Sequence, residues 1–250
     1  MKMRFSVILK LMLPIAILVS SNCIASESVI SEWSYDDDYT GQDDWGAIND
    51  YRVCRDGMSQ SPINISYTKT SKLPSLNFKY SKADGIMRIT KQSFIMEVAD
   101  GGIIIDGEEP YILKSVEIHS PSGHRIRGNV YPAEIHLIHK NPRNELLIIA
   151  IFANIGNASP AVDTMLKETN SRSADKFSAD TSSLVSTTSA YYAYNGSLPY
   201  PPCTENVKWR ILKKTITISQ EQLAKIGRFV GRNTRLPQPV YIREILETNP

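Results

Sequence analysis

The chain has 250 residues with 28 basic and 26 acidic side chains, a formal net charge of +2. A balance so near neutral supplies no long-range attraction for nucleic acid, so that class of partner is not expected. About 225 residues remain beyond an N-terminal leader, enough for one sizeable core in a single β-rich domain.

Residues 1–25 read as a targeting segment. Lys2, Arg4 and Lys10 make a positive start, Leu11 to Val19 an apolar stretch short for a membrane span, and Cys23-Ile24-Ala25 a small-residue cleavage site. Cleavage before Ser26 leaves residues 26–250 as one domain of formal charge −1, periplasmic or secreted, with no transmembrane span. Acylation of Cys23 is the alternative, disfavoured by Asn22 in front of it.

Residues 26–50 carry Asp36-Asp37-Asp38 and Asp43-Asp44 among Trp33, Tyr35 and Trp45, and read as an irregular arm lying on a sheet with its acidic runs solvated. Short alternating runs over 75–80, 86–90, 94–98, 103–106 and 113–119, separated by Gly, Asp, Lys or Pro, predict consecutive strands. Leu146 to Ile155 is nearly all apolar and predicts a strand buried on both faces. Val162, Met165 and Leu166 stand at helical spacing and predict a helix over 160–169, with Ser159 as cap and Pro160 in the first turn. Residues 170–183 read as a polar surface loop and 209–218 as a strand. A helix over 219–229 opens with Ser219 and, three residues on, Gln222 as its capping-box partner. The class is mainly β with a few short helices. No internal repeat, Gly-rich phosphate loop or Ser-His-Asp order is present.

All four histidines fall between Ser115 and His139, so any metal or proton chemistry starts there. Glu117-Ile118-His119 and Glu134-Ile135-His136 each place two metal-capable side chains on one strand face. Gly123, Gly128 and Pro132 supply turns between the runs, and an antiparallel pairing would gather Glu117, His119 and His136 into a zinc set. The competing reading is that these are ordinary core or surface residues. His139 has the opposite parity to His136 and reads as structural.

At this point the residues resemble the α-carbonic anhydrases, from about Trp33 to Pro239. The motifs are Trp33-Ser34-Tyr35, Trp45-Gly46, Cys54, Gln60-Ser61-Pro62-Ile63-Asn64-Ile65, Ser120-Pro121-Ser122 with His124, and Tyr131 to His139. Tyr194-Asn195-Gly196-Ser197-Leu198, Pro201-Pro202-Cys203, Val207 with Trp209, and Asn233-x-Arg235-x-x-Gln238-Pro239 complete the series. The resemblance implies a large, mostly antiparallel twisted sheet with a conical cleft, and zinc held at its foot by three strand histidines. Zinc there lowers the pKa of a bound water, whose hydroxide attacks carbon dioxide to give bicarbonate.

Carried over position by position, the ligands are Glu117, His119 and His136. A glutamate in place of the first histidine would leave the bound water less acidic. Ser115 stands where the family has a glutamine, Pro199 where it has the hydroxide-orienting threonine, and Gly123 where it has that threonine's glutamate partner. The proton-shuttle position falls near Phe94. His124, Tyr194 and Glu134 match the family's buried network, Ile138, Ile148 and Leu198 its apolar wall for carbon dioxide, and Cys54 with Cys203 the disulfide of its secreted bacterial members.

Losing an orienting donor costs about 10² to 10³ in rate, and losing a general acid or base a further factor of about 10² to 10⁴. The expectation is therefore a weak or inactive carbonic-anhydrase-related protein with a weakened zinc site and an unidentified protein or ligand partner. The alternatives are a working Glu/His/His hydratase acting on carbon dioxide and bicarbonate, and a zinc hydrolase of small esters, which lacks an evident general base.

Overall fold

The computed structural model describes residues 33–36, 40–48, 50–99, 101–167, 177–185 and 190–249; the expected leader, residues 1–25, lies outside them. In chain order the first strands are β1 (Asn64–Ile65), β2 (Lys69–Ser71), β3 (Leu76–Lys79), β4 (Lys82–Ile89), β5 (Phe94–Val98), β6 (Ile103–Asp106) and β7 (Glu109–His119). They are followed by β8 (Arg125–Ile126), β9 (Ala133–Lys140), β10 (Leu146–Ile155), β11 (Phe177–Asp180), β12 (Tyr191–Ser197), β13 (Glu205–Ile218) and β14 (Leu246–Thr248). The helices are α1 (Val53–Asp56), α2 (Pro160–Lys167) and α3 (Gln220–Val230).

One sheet runs in the order β11-β4-β5-β7-β9-β10-β13-β12-β14-β2, with β6 on β7 and β3 on β6. Its pairings are antiparallel except for β10 with β13 and β14 with β2. The expected strand over 146–155 is β10, and its two faces serve different cores. Leu147, Ile149 and Ile151 join the cluster covered by α2 and α3, while Ile148, Ala150 and Phe152 join a second one with Trp209 and Ile138. That second face carries the cleft.

Helix α3 begins with the expected capping box, Ser219 and Gln222. Gln222 does more than cap. Its amide nitrogen donates to the Ser159 carbonyl at 2.8 Å and to Asp163 Oδ1 at 2.7 Å, and its oxygen accepts from Ser159 N at 3.0 Å. One buried side chain thus fastens the start of α2 to the start of α3.

Two expectations need correcting. The polar stretch 170–183 is not all loop, because Phe177–Asp180 pairs with Lys82–Gly85 as an edge strand. Edge strands favour polar residues, and periodicity does not find them. The strand expected over 113–119 starts at Glu109 and contains a bulge: Leu113 pairs with His139 but Ser115 with Ile138, leaving Lys114 unopposed. The extra residue changes the parity. Tyr111 and Leu113 point into the helix-covered core before the bulge, and Val116 and Ile118 do so after it. Ser115, Glu117 and His119 consequently face the cleft.

The arm reaches the sheet through aromatic contacts. Trp33, Tyr35 and Trp45 pack edge to face on one another and cluster with Cys54 and Cys203. Those cysteines form a disulfide across 149 positions of sequence.

Candidate metal centre

β7 and β9 run antiparallel with Glu117 directly opposite His136 and His119 opposite Glu134. The register therefore brings Glu117, His119 and His136 together, with their candidate ligand atoms within 4.8 Å of one another. All three are buried.

The second bond of each histidine fixes which nitrogen faces the others. His119 Nδ1 donates to the Asn233 carbonyl at 2.8 Å, and Asn233 is itself anchored by its amide to the Ile118 carbonyl. His136 Nε2 donates to Glu134 Oε1 at 2.9 Å. His119 Nε2 and His136 Nδ1 are left buried without a hydrogen-bond partner. Glu117 Oε2 lies 3.8 Å from His119 Nε2, beyond hydrogen-bond length, so their attraction is electrostatic. Glu117 Oε1 accepts from Ser115 Oγ at 3.3 Å and from Tyr200 Oη at 3.2 Å.

Glu134 is the hub behind the site. Its Oε1 also takes His124 Nδ1 at 2.6 Å, and its Oε2 takes the backbone N–H groups of Gly123 and His124, each at 2.9 Å. His124 Nε2 accepts from Tyr194 Oη at 2.6 Å, and the Tyr194 and Ser61 hydroxyls lie 2.7 Å apart. The close grouping of His124, Glu134 and His136 is thus a set of donors that saturates one carboxylate.

Protonation follows from these contacts. Burial alone would raise the Glu134 carboxyl, but His124 and His136 outweigh it and hold it well below the ordinary range. Burial and the neighbouring His119 push His136 down to about 4. His119 is lowered by burial, yet Glu117 more than offsets this and raises it. Burial and Glu117 together push the Tyr200 phenol up, so it stays a donor.

Above Glu117 opens a cavity of about 440 Å³ lined in part by Ser115, Ile138, Leu146, Leu198 and Tyr200. Two of the three expected wall residues, Ile138 and Leu198, reach it. Ile148 packs beneath, fully buried, and Leu146, two positions earlier on the same face, lines the cavity instead. Phe94 is not a cleft position at all: strand alternation sends it into the helix-covered core near Phe229, and Ile95 and Glu97 take the cleft face opposite Glu117 and Ser115. Pro199 is buried. A Cβ added at Gly123 would stand 2.9 Å from Pro62 Cγ, so a side chain there requires the proline to move.

Comparison with known proteins matches residues 40–248 to the family model described as eukaryotic-type carbonic anhydrase. The chain belongs to that family. A carbonic anhydrase of Klebsiella pneumoniae is 32% identical over 228 residues, 87% of this chain and 91% of the relative. The α-carbonic anhydrase of Photobacterium profundum superposes with a TM-score of 0.79 at 27% identity, covering 86% of this chain and all of that structure. A dioscorin solved in complex with ascorbate superposes at 0.81 with 27% identity, over 86% and 97% of the two chains.

The family motifs acquire physical work in the structure. Arg235 donates to Gln60 Oε1 and to the carbonyls of Ser61 and Cys54, tying the C-terminal segment to the first motif. Three contributors to the site were not read from the sequence: the Asn233 carbonyl, the Tyr200 hydroxyl and the bulge at Lys114. Asn233 was visible as a motif residue; nothing in the spacing signalled the direction of Tyr200.

Proposed function

We propose that this chain is an exported carbonic-anhydrase-family protein with an altered zinc site and weak or absent hydration of carbon dioxide. One observation carries the reading. The scaffold that orients the histidines is complete around Glu134, whereas neither partner of the pair that orients the attacking oxygen in the family is present at Pro199 and Gly123. Proline offers no hydroxyl and no N–H.

The residues do fit a divalent metal. Two buried imidazole lone pairs without partners and a carboxylate oxygen within reach of them are a sound donor set. Glu117, His119 and His136 would hold the ion, and zinc bound there supplies Lewis acidity and a water of lowered pKa. Around it, Glu134 fixes the His136 tautomer, the Asn233 carbonyl fixes that of His119, and Tyr200 with Ser115 steers Glu117 Oε2 toward the histidines. Ile138 and Leu198 keep an apolar wall beside it.

Export rests on residues 1–25 acting as a cleaved signal, and the Cys54–Cys203 disulfide supports it, since such bonds persist in oxidising compartments. No helix among the described residues is long and apolar enough to cross a membrane.

Zinc analysis of the mature, oxidised protein, paired with stopped-flow carbon dioxide hydration on the same sample, tests the proposal. Hydration at or near background is expected, with zinc retained through the Glu/His/His set. Fast zinc-dependent hydration would overturn the reading and make the chain a working anhydrase.

A further inference from the structure

The bulge in β7 sets two consecutive residues, Lys114 and Ser115, on the cleft face, and both line the cavity above Glu117. Lys140, paired with Ile112 across β9, lines it as well. Neither ammonium has an ion-pair or hydrogen-bond partner among the described residues. The carboxylate on that rim, Glu97, is already engaged 2.6 Å from Arg88 Nε. The rim thus presents two unpaired cations. Between rim and floor stand Ile138, Leu146 and Leu198, and the floor itself is the Glu117 carboxylate.

We propose that the cleft binds a small organic carboxylate, its charged end on Lys114 and Lys140 and its apolar body against Ile138, Leu146 and Leu198. Three features carry this. The volume of about 440 Å³ falls in the range that encloses small ligands, and the lining joins an aliphatic wall to charged and hydroxyl-bearing residues that can fix a ligand's polar end. Two like charges set at the mouth of a cleft with aliphatic walls favour an anion there. The floor repels one, so the carboxylate faces outward, opposite to an anion seated on a metal ion at the histidines. The inference rests on the cleft serving as a binding site, as proposed above, and names the class of ligand.

Calorimetric titration with benzoate, and with its neutral counterpart benzamide, tests it on the mature, oxidised protein in chelator-treated and zinc-loaded forms. Benzoate is expected to bind saturably in both forms, about tenfold or more tighter than benzamide, and more weakly as salt rises. The double variant Lys114→Gln/Lys140→Gln, at two exposed positions, is expected to lose about tenfold or more of benzoate affinity with an unchanged urea unfolding midpoint. No benzoate binding, equal binding of benzamide, or an unaltered variant overturns the proposal. Binding that requires zinc and ignores both lysines overturns it too, while leaving the metal centre standing. Fast hydration alongside lysine-dependent benzoate binding would sink the functional reading and spare this one.

Discussion

Replacing Glu134 by glutamine is the sharpest probe of how the site is built. The wild-type carboxylate accepts four hydrogen bonds, two on each oxygen, with no exposure to solvent. A glutamine oxygen can serve two of those donors. Its amide nitrogen then faces the other two, donor against donor. If it faces the histidines, His136 must present a lone pair through Nε2 and carry its proton on Nδ1, the nitrogen otherwise left without a partner at the candidate metal centre. Two unsatisfied buried donors at about 1–3 kcal/mol each, or the loss of one partner from a buried charged array at about 3–5 kcal/mol, give the same scale. Urea unfolding of the oxidised E134Q protein at neutral pH should therefore show a loss of about 3–5 kcal/mol, and zinc affinity should fall roughly 10- to 100-fold. The pH dependence has a definite sign. Glu134 is held below its ordinary value of 4.5, so its contribution is complete above that value and disappears as pH falls toward the lower folded one. The variant should be flatter than wild type over that acid range. A stability loss under about 1 kcal/mol with zinc affinity retained would refute the hub.

Other outcomes follow from single features. Reducing the Cys54–Cys203 bond, which closes a loop of 149 positions, should cost about 5 kcal/mol on the chain-entropy model; equal urea midpoints with and without reductant would contradict that. His139 is pushed down to about 3 by burial, so its stabilisation is complete above its usual 6.5 and drains away as pH drops from there toward 3. His139→Gln should therefore flatten the decline in urea midpoint through that window relative to wild type, and parallel curves would count against it. Tyr200→Phe removes one of two hydroxyl donors to Glu117, and thermal unfolding should register about 1–2 kcal/mol, with no change meaning that the bond is not formed in solution.

Much of this site was legible because strand parity is a short-range rule. The i, i+2 spacing of Glu117 with His119 and of Glu134 with His136 survives any register, and the turn residues between the runs made the antiparallel pairing the natural one. His139, read as structural from its opposite parity, faces the other core, where Nδ1 donates to the Leu147 carbonyl and Nε2 accepts from Tyr80. Strands such as β10 were visible because both faces are apolar. Polar edge strands such as β2 and β11 were not, since their identity lies in a neighbour's free backbone rather than in their own pattern. Phe94 stands away from the cleft because its burial is decided by which side of β5 it occupies, and position along the chain alone does not reveal that side. Tyr200 follows three residues after the end of β12, where no periodicity constrains direction.

The bulge at Lys114 makes the whole centre a matter of counting. Its two sides of β7 keep different books on which residues face the helices, and one unopposed residue reconciles them. A continuous ladder that kept Lys114 in line would turn Val116 and Ile118 toward the cleft and bury Glu117 and His119 among aliphatic side chains, whereas deleting Lys114 itself would straighten the strand and leave each of them on its present face. Point substitution can tune this cleft; closing the bulge around a retained Lys114 would invert it.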